Sequence, residues 1–444
     1  PGRPRGEGRR SRGLNEPYPQ RMTSTWAAPT ASGPLDALVE VPGSKSLSNR
    51  YLVLAALADG PSRLRGVLDS RDTRLMAGAL RTMGASVEES DGDWLVSPAP
   101  LRGDVTVDCG LAGTVMRFLP AVAALADGPV RFDGDEQAYA RPMGPVLEAL
   151  RALGVRVDDL GEQGRLPFTV HGRGDLPGGS VDVDASGSSQ FVSGLLLAGA
   201  RYASGLTVRH TGRTLPSLPH IEMTVEVLRA AGVSVDDSRP GIWQVAPGAI
   251  AGRDVRVEPD LSNAAPFLAA ALVTGGTVRV PGWPTTTTQP GALLPGLLER
   301  MGGRTSLHDG VLAATGTGAI HGIDVDLRAA SELAPTIAAL AVLADSPTRL
   351  RGIAHMRGHE TDRLAALATE ITARGGWAQQ TTDGLVITPR PLTPGLWRAY
   401  ADHRMATAGA LVGLAVPGTQ VDDVDSTAKT LPGFVGLWTG MLGR

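Results

Sequence analysis

The chain has 444 residues, more than one ordinary hydrophobic core holds, so two domains are expected. Its 42% hydrophobic and 20% charged content describes a globular protein, and a formal net charge of -3 argues against nucleic acid or a membrane surface as partner. A single cysteine, Cys109, can form no internal disulfide, and no His/Cys grouping has zinc-ligand spacing, so a reducing cytoplasm and no metal or other cofactor are expected. In chain order, the opening PGRPRGEGRRSRGLNEPYPQR is rich in Arg, Gly and Pro and lacks the apolar h-region of a secretory signal. Residues 1–24 are expected to be a disordered extension.

Residues 44–60, SKSLSNRYLVLAALADG, begin with small polar residues and continue as an Ala/Leu-rich helix apolar on all sides, the pattern of a buried helix. A β-like run, SRLRGV, follows at 62–67, and then an amphipathic helix with one apolar stripe that ends at glycine before a strand, within 76–90. The same succession returns at 111–128 and 143–159, at 186–200 and 221–237, at 261–276 and 291–307, and at 331–346 and 362–380. A sixth buried-type helix at 402–416 is followed by TQVDDV, without a clear second partner. This recurrence at roughly 70-residue spacing is a supersecondary repeat. Alternating helices and strands give an α/β class. Three repeats apiece make two similar lobes, with buried helices surrounded by sheets and outer helices and a boundary near residue 258.

The starts of the buried helices carry the chemistry. They read GSKS, GLAGT, GSSQ, DLSN, SEL and DHRM. Helix N-termini offer free N–H groups and a positive dipole end, which suit anions. Each alone also reads as an ordinary Ser/Thr cap. Basic residues accompany them: Lys45 and Arg50, Arg117, Arg141, Arg363, Arg404 and Lys429. They stand beside small residues and apolar helices, where an unpaired charge is costly, so a shared anionic site is expected, one that takes several phosphates or carboxylates. Lys45 and Lys429 are the chain's two lysines, against 42 basic residues in all. Lysine differs from arginine in that its proton can be moved. Glu332 and Glu360 lie in the same motifs, where a carboxylate either favours a helix start or serves as base for a hydroxyl. GSKS is not a nucleotide P-loop, because Ser44 rather than Gly precedes Lys45.

PGSKSLSNR, LAGTVMR, ARPM, SGSSQF, ETDRL, DHRMA and TAKTLP, in this order, resemble the enolpyruvyl transferases over nearly the whole chain after about residue 34. Among these the chain is most similar to the branch whose acceptor is shikimate-3-phosphate. The resemblance implies an inside-out α/β barrel fold, two lobes of three inverted units each. Residues 25–43 and 258–444 would form one discontinuous lobe, and residues 44–257 the other. It implies transfer of the enolpyruvyl group of phosphoenolpyruvate to the 5-hydroxyl of shikimate-3-phosphate, by addition and then loss of phosphate, in aromatic amino acid biosynthesis. Lys45, Ser46, Arg50, Ser188, Ser189, Gln190, Ser217, Glu332 and His359 would meet shikimate-3-phosphate. Lys45, Gly113, Arg141, Gln190, Arg363, Arg404 and Lys429 would meet phosphoenolpyruvate. Glu332 would take the hydroxyl proton, and Glu360 or Lys45 would protonate the methylene carbon. A cytoplasmic monomer inhibited by glyphosate is the corresponding expectation.

Three positions depart from the family pattern: Glu332 where many members have Asp, His359 where many have Lys, and Leu111 where Asn is usual. Two rival readings remain. The sister enzyme acting on UDP-N-acetylglucosamine carries a reactive Cys shortly before an Arg-Pro, whereas this chain reads DGDEQAYARPMG there. A catalytically silent phosphometabolite-binding protein of the same fold would not need to keep Lys45, Glu332, Glu360 and Lys429.

Overall fold

The structure, a computed structural model, describes residues 25–444, so the expected N-terminal extension lies outside the described residues. Its helices are α1 (Lys45–Ala56), α2 (Arg71–Thr82), α3 (Gly113–Ala123), α4 (Gly144–Ala152), α5 (Gln190–Gly199), α6 (Pro219–Ala230), α7 (Leu261–Thr274), α8 (Leu294–Arg300), α9 (Ala334–Ala341), α10 (Arg363–Ala373), α11 (His403–Ala415) and α12 (Phe434–Met441). The odd-numbered helices are the Ala/Leu-rich segments. Every residue of α3 and of α9 is buried, as a helix without a polar face must be. Their starts are fixed by side-chain caps where one is available: Ser44 accepts from Leu47 N, Asp260 from Ser262 N and Asn263 N, and Asp402 from Arg404 N. The outer helices α2, α4, α6, α8 and α10 end at Gly84, Gly154, Gly232, Gly302 and Gly375, all left-handed with φ from 84° to 115°.

Three units are complete in chain order, and the first runs strand Val105–Asp108, α3, strand Asp127–Asp133, α4, then strands Arg156–Asp159 and Phe168–Arg173. Its first two strands pair in parallel and the others antiparallel. Six sheets follow this plan, five of four strands and one of three. The buried helices pack together inside them as two sets, α1, α3 and α5 in one and α7, α9 and α11 in the other. Two separate hydrophobic clusters result. One lies within Leu47–Val257, and the other joins Ala28, Val39 and Val41 to Leu261–Met441. The α/β class and the two-lobe, inside-out arrangement are therefore as expected.

Sequence order and unit order differ at the join. Strand Asp36–Leu38 pairs with Thr277–Pro281 in one lobe, yet the chain goes on from it into α1 of the other. Strand Asp254–Arg256 pairs with Ser62–Arg65 and goes on into α7 in the same exchanged way. The two crossings bind each other: Ser44 N donates to Glu258 O at 2.7 Å, and Asp260 N to Pro42 O at 2.9 Å. Gly43 sits at their bridge to Pro259, and an added Cβ there would lie 2.1 Å from the Gly66 carbonyl oxygen. The last unit differs from the others. Strand Trp26–Ala27 completes its sheet, and a 3-10 turn at Val424–Lys429 followed by α12 stands where the other units have one outer helix. No helix among the described residues is long and apolar enough to cross a membrane.

Candidate active site

The starts of five of the six buried helices meet in one cleft between the lobes, joined by Arg117 from the second turn of the sixth. Its wall takes Ser44–Ser46 from the start of α1, Arg117 from α3, Gly187–Gln190 at α5, Asp260 and Ser262 at α7, Glu332 before α9, and His403 and Arg404 at α11. Each helix start carries about half a positive charge, so five together present roughly two and a half before any side chain is counted.

On the α1–α6 side, Lys45 Nζ lies 3.4 Å from Asp72 Oδ2, and the Lys45 backbone N donates across the lobes to Asp260 Oδ2 at 3.1 Å. Arg117 Nη1 donates to Gln190 Oε1 at 2.9 Å, and Arg141 Nη1 to Leu111 O at 3.0 Å. The Nε atoms of both arginines are buried and have no hydrogen-bond partner within the protein. Burial, and then the charge of Arg141, pull the Arg117 guanidinium well below its usual range. A site that costs this much to hold unneutralised is built for an anion. Two glycines permit it. At Gly113 an added Cβ would stand 3.0 Å from Arg141 Nη2 and 3.1 Å from Arg117 Nη1, and at Gly194, where α5 crosses α3, 2.1 Å from the Arg117 carbonyl oxygen.

On the other side, Arg363 Nε and Nη2 grip the buried Asp402 carboxylate, and Nη2 also donates to Glu360 Oε2 at 2.9 Å. Burial opposes the Arg363 charge, but Asp402 and Glu360 more than offset it and raise its pKa. Lys429 Nζ donates to Glu360 Oε1 at 2.6 Å. Burial lowers the Lys429 pKa while Glu360 pulls the other way. Burial alone would raise the Glu360 carboxyl, yet Lys429, Arg363 and Arg141 hold it well below the carboxylate range. Arg363 Nη1 also lies 3.0 Å from His359 Nδ1. Arginine can only donate, so the His359 Nδ1 accepts and its proton sits on Nε2. Burial and the Arg363 charge keep that ring neutral at neutral pH.

The hydroxyl side of the cleft is formed by Ser188, Ser189, Ser217 and Glu332. Ser217 has φ 54° and its N donates to Arg328 O of the facing lobe at 3.0 Å. Glu332 Oε1 is 2.9 Å from His220 Nε2, while its Oε2 is buried without a partner. Burial would raise this carboxyl, but the His220 ring, its hydrogen bond and the Arg404 charge reverse the effect and leave it well below the usual range.

Twelve of the residues expected at the site line the cleft, from Lys45 and Ser46 to Arg363 and Arg404, and three do not. Lys429 reaches it through Glu360, and Gly113 lies beneath Arg117 and Arg141. Arg50 stands one layer behind. Its guanidinium is 1% exposed and donates to Thr224 Oγ1, Ser46 O, Ser193 Oγ and His220 O. Burial pulls it down to about 9, still charged at neutral pH. The cleft also takes His220, His355 and Gln289, which sequence reasoning did not single out. The signal for His355 was available: it precedes His359 by one helical step in AHMRGH. Nothing in SLPHIEM marks His220. Among the described residues no group of three His, Cys, Asp or Glu side chains is placed to hold a metal ion.

A family profile for EPSP synthase (3-phosphoshikimate 1-carboxyvinyltransferase) matches residues 29–438. The chain belongs to the EPSP synthase family. Solved structures agree: EPSP synthase from Acinetobacter baumannii superposes with a TM-score of 0.77 at 25% identity, over 93% of this chain and 97% of that one. A second EPSP synthase structure from the same organism gives 0.76 at 24% identity, with 93% and 97% covered. The enolpyruvyl transferase NikO from Streptomyces tendae shares the fold, with a TM-score of 0.72 at 22% identity over 93% of this chain and 96% of that one. EPSP synthases transfer the 1-carboxyvinyl group to 3-phosphoshikimate in the shikimate pathway, and that is the activity of this chain. Neither the nucleotide-sugar reading nor the silent-binder reading is needed.

Proposed function

We propose that the cleft holds shikimate-3-phosphate and phosphoenolpyruvate together and that its residues divide the work of addition and elimination. Ser188, Ser189, Ser217 and the neutral Nε2–H of His359 take the 3-phosphate, with Gln190 along the ring and Lys45 and Ser46 at the hydroxyls. Arg50 supports this wall by tying α1 to α6 instead of touching the ligand. Arg141, Arg363, Arg404 and Lys429 take the carboxylate and phosphate of phosphoenolpyruvate, with Gly113 leaving room beside Arg141. The two polyanions repel each other, so cations and helix ends that offset the repulsion hold the reacting atoms at bonding distance.

In the addition step Glu332 Oε2 receives the 5-hydroxyl proton as the oxygen attacks C2, and C3 gains a proton. Of the two candidates for that proton, the geometry favours Lys45. Glu360 is held ionised between Lys429 and Arg363, so it is suited to the opposite task, taking the C3 proton back as phosphate leaves. The observation that carries the proposal is the meeting of five helix starts and cations from both lobes around one unpartnered carboxylate oxygen. The test mixes the protein with both substrates and follows inorganic phosphate. No release with shikimate-3-phosphate, together with release with UDP-N-acetylglucosamine, overturns it. The two hydrophobic cores support dividing the chain into domains 25–43 with 258–444, and 44–257. The same reading has the enzyme act as a cytoplasmic monomer, with glyphosate competing for the phosphoenolpyruvate cations.

A further inference from the structure

His220 belongs to α6 and to one hydrophobic core, while Glu332 lies in the turn Ser331–Leu333 of the other. Their 2.9 Å contact therefore exists only with the lobes together. Among the described residues His220 is the one side chain that hydrogen-bonds the Glu332 carboxylate. An ionised carboxylate can only accept, so His220 Nε2 carries the hydrogen and donates. This leaves Oε2 buried and unpartnered, the one oxygen free to receive a proton. Glutamate has one more rotatable bond than aspartate, and that freedom must be removed before the carboxylate has a defined direction.

His220 is itself held firmly. Its carbonyl accepts from Arg50 Nη2 at 2.8 Å, Ser193 Oγ at 3.2 Å and Thr224 Oγ1 at 2.9 Å. The turn before it is clamped to the facing lobe through Ser217 N and Arg328 O at 3.0 Å. The other charged or titratable groups facing Glu332 are Arg404 on α11, Arg363 on α10, and His355 and His359 between α9 and α10. These act on Glu332 through space, and His355 bonds Ser331 Oγ instead.

We propose that His220 is the positioning residue of the Glu332 base, supplied from the opposite lobe, so that the base acquires its direction as the lobes shut. The proposal rests on Glu332 being the hydroxyl base. His220→Phe and His220→Gln, made in the full chain, test it by steady-state kinetics against pH with both substrates, beside Glu332→Gln. Neither substitution disturbs the backbone carbonyl that secures Arg50. The Phe variant is expected to lose about 100-fold in kcat, within the usual worth of a positioned base, with KM for phosphoenolpyruvate changed less than about threefold. Its acidic limb in kcat moves to higher pH, because Glu332 loses the partner that lowers its pKa. The Gln variant, whose amide N–H reaches a similar place, recovers at least about tenfold of the loss. A Phe variant within threefold of the parent, an unmoved acidic limb, or a Gln variant no better than Phe overturns the proposal. If Glu332→Gln itself keeps the parent kcat, the assignment of Glu332 as base is what has failed.

Discussion

Gly113→Ala separates the stability of this fold from its grip on anions. Gly113 is the first residue of α3 and has ordinary helical backbone, so alanine there gains helix propensity, up to about 1 kcal/mol. The added methyl, however, meets Arg141 Nη2 at 3.0 Å, Arg117 Nη1 at 3.1 Å and Arg141 Nη1 at 3.2 Å. These are tips of side chains, so the guanidiniums yield by a few tenths of an ångström while the helix stays in place. A charge-assisted hydrogen bond contributes about 1.5–3 kcal/mol, and spoiling about half of one raises KM roughly tenfold. The expected variant has a KM for phosphoenolpyruvate up about tenfold, kcat within about threefold, and Tm unchanged or up by about 2 °C. Steady-state kinetics and a thermal melt measure all three. A KM within twofold of the parent refutes the placement of phosphoenolpyruvate against these arginines. A Tm several degrees lower shows that the helix moved and refutes the geometric reasoning.

Lys45→Arg keeps the charge beside Asp72 but removes a proton that can be given, so kcat should fall about 100-fold while shikimate-3-phosphate still binds; near-normal turnover would sink the proton-transfer role. Glu360→Gln leaves Lys429 and Arg363 with less countercharge, which should cost about 3 kcal/mol of stability and lower kcat while tightening binding of inorganic phosphate; unchanged kcat would rule out Glu360 as the C3 base. His359 and His403 are buried with pKa values well below 6.5, so the unfolded chain binds protons that the folded one refuses. Their contribution is full above pH about 6.5 and is lost below it, at roughly 1.4 kcal/mol per pH unit for each. Thermal melts from pH 7.5 to 5.5 should therefore show Tm falling, and a flat or rising Tm would contradict their burial.

The repeat was legible because each unit writes its core in local terms: a helix apolar on all sides beside one with a single stripe. The site was legible for a related reason. Anion-binding groups sit at helix starts, next in sequence to the buried segments that place them. Exchanged strands were not readable from periodicity, since nothing local to Asp36–Leu38 tells that it pairs with Thr277–Pro281 while leading into α1. Arg50 shows the limit of proximity in sequence. Five residues after Lys45 on a helix it points about 140° away, which is why it faces Thr224 and His220 instead of the cleft. His220 lacked any motif because its role exists only between lobes, through a contact with a residue far along the chain.

The distribution of basic residues then acquires a physical reason. Arginines dominate the outer faces, where Arg65 pairs with Asp254, Arg209 with Asp182, Arg279 with Asp36 and Arg351 with Asp324. Such exposed pairs are worth about 0–1 kcal/mol each and ask only for a cation. Within the cleft, arginines again suffice where charge alone is needed, as at Arg117 and Arg141. Both lysines of the chain stand where a carboxylate faces them, Lys45 at Asp72 and Lys429 at Glu360. Burial lowers the pKa of Lys429, Glu360 restrains that fall, and Lys429 in turn helps to hold the Glu360 carboxyl ionised. Substituting arginine throughout would preserve every charge in the cleft. It would remove the two amines, whose nitrogens can both hold and release a proton, and an addition–elimination at carbon needs a proton delivered and then removed.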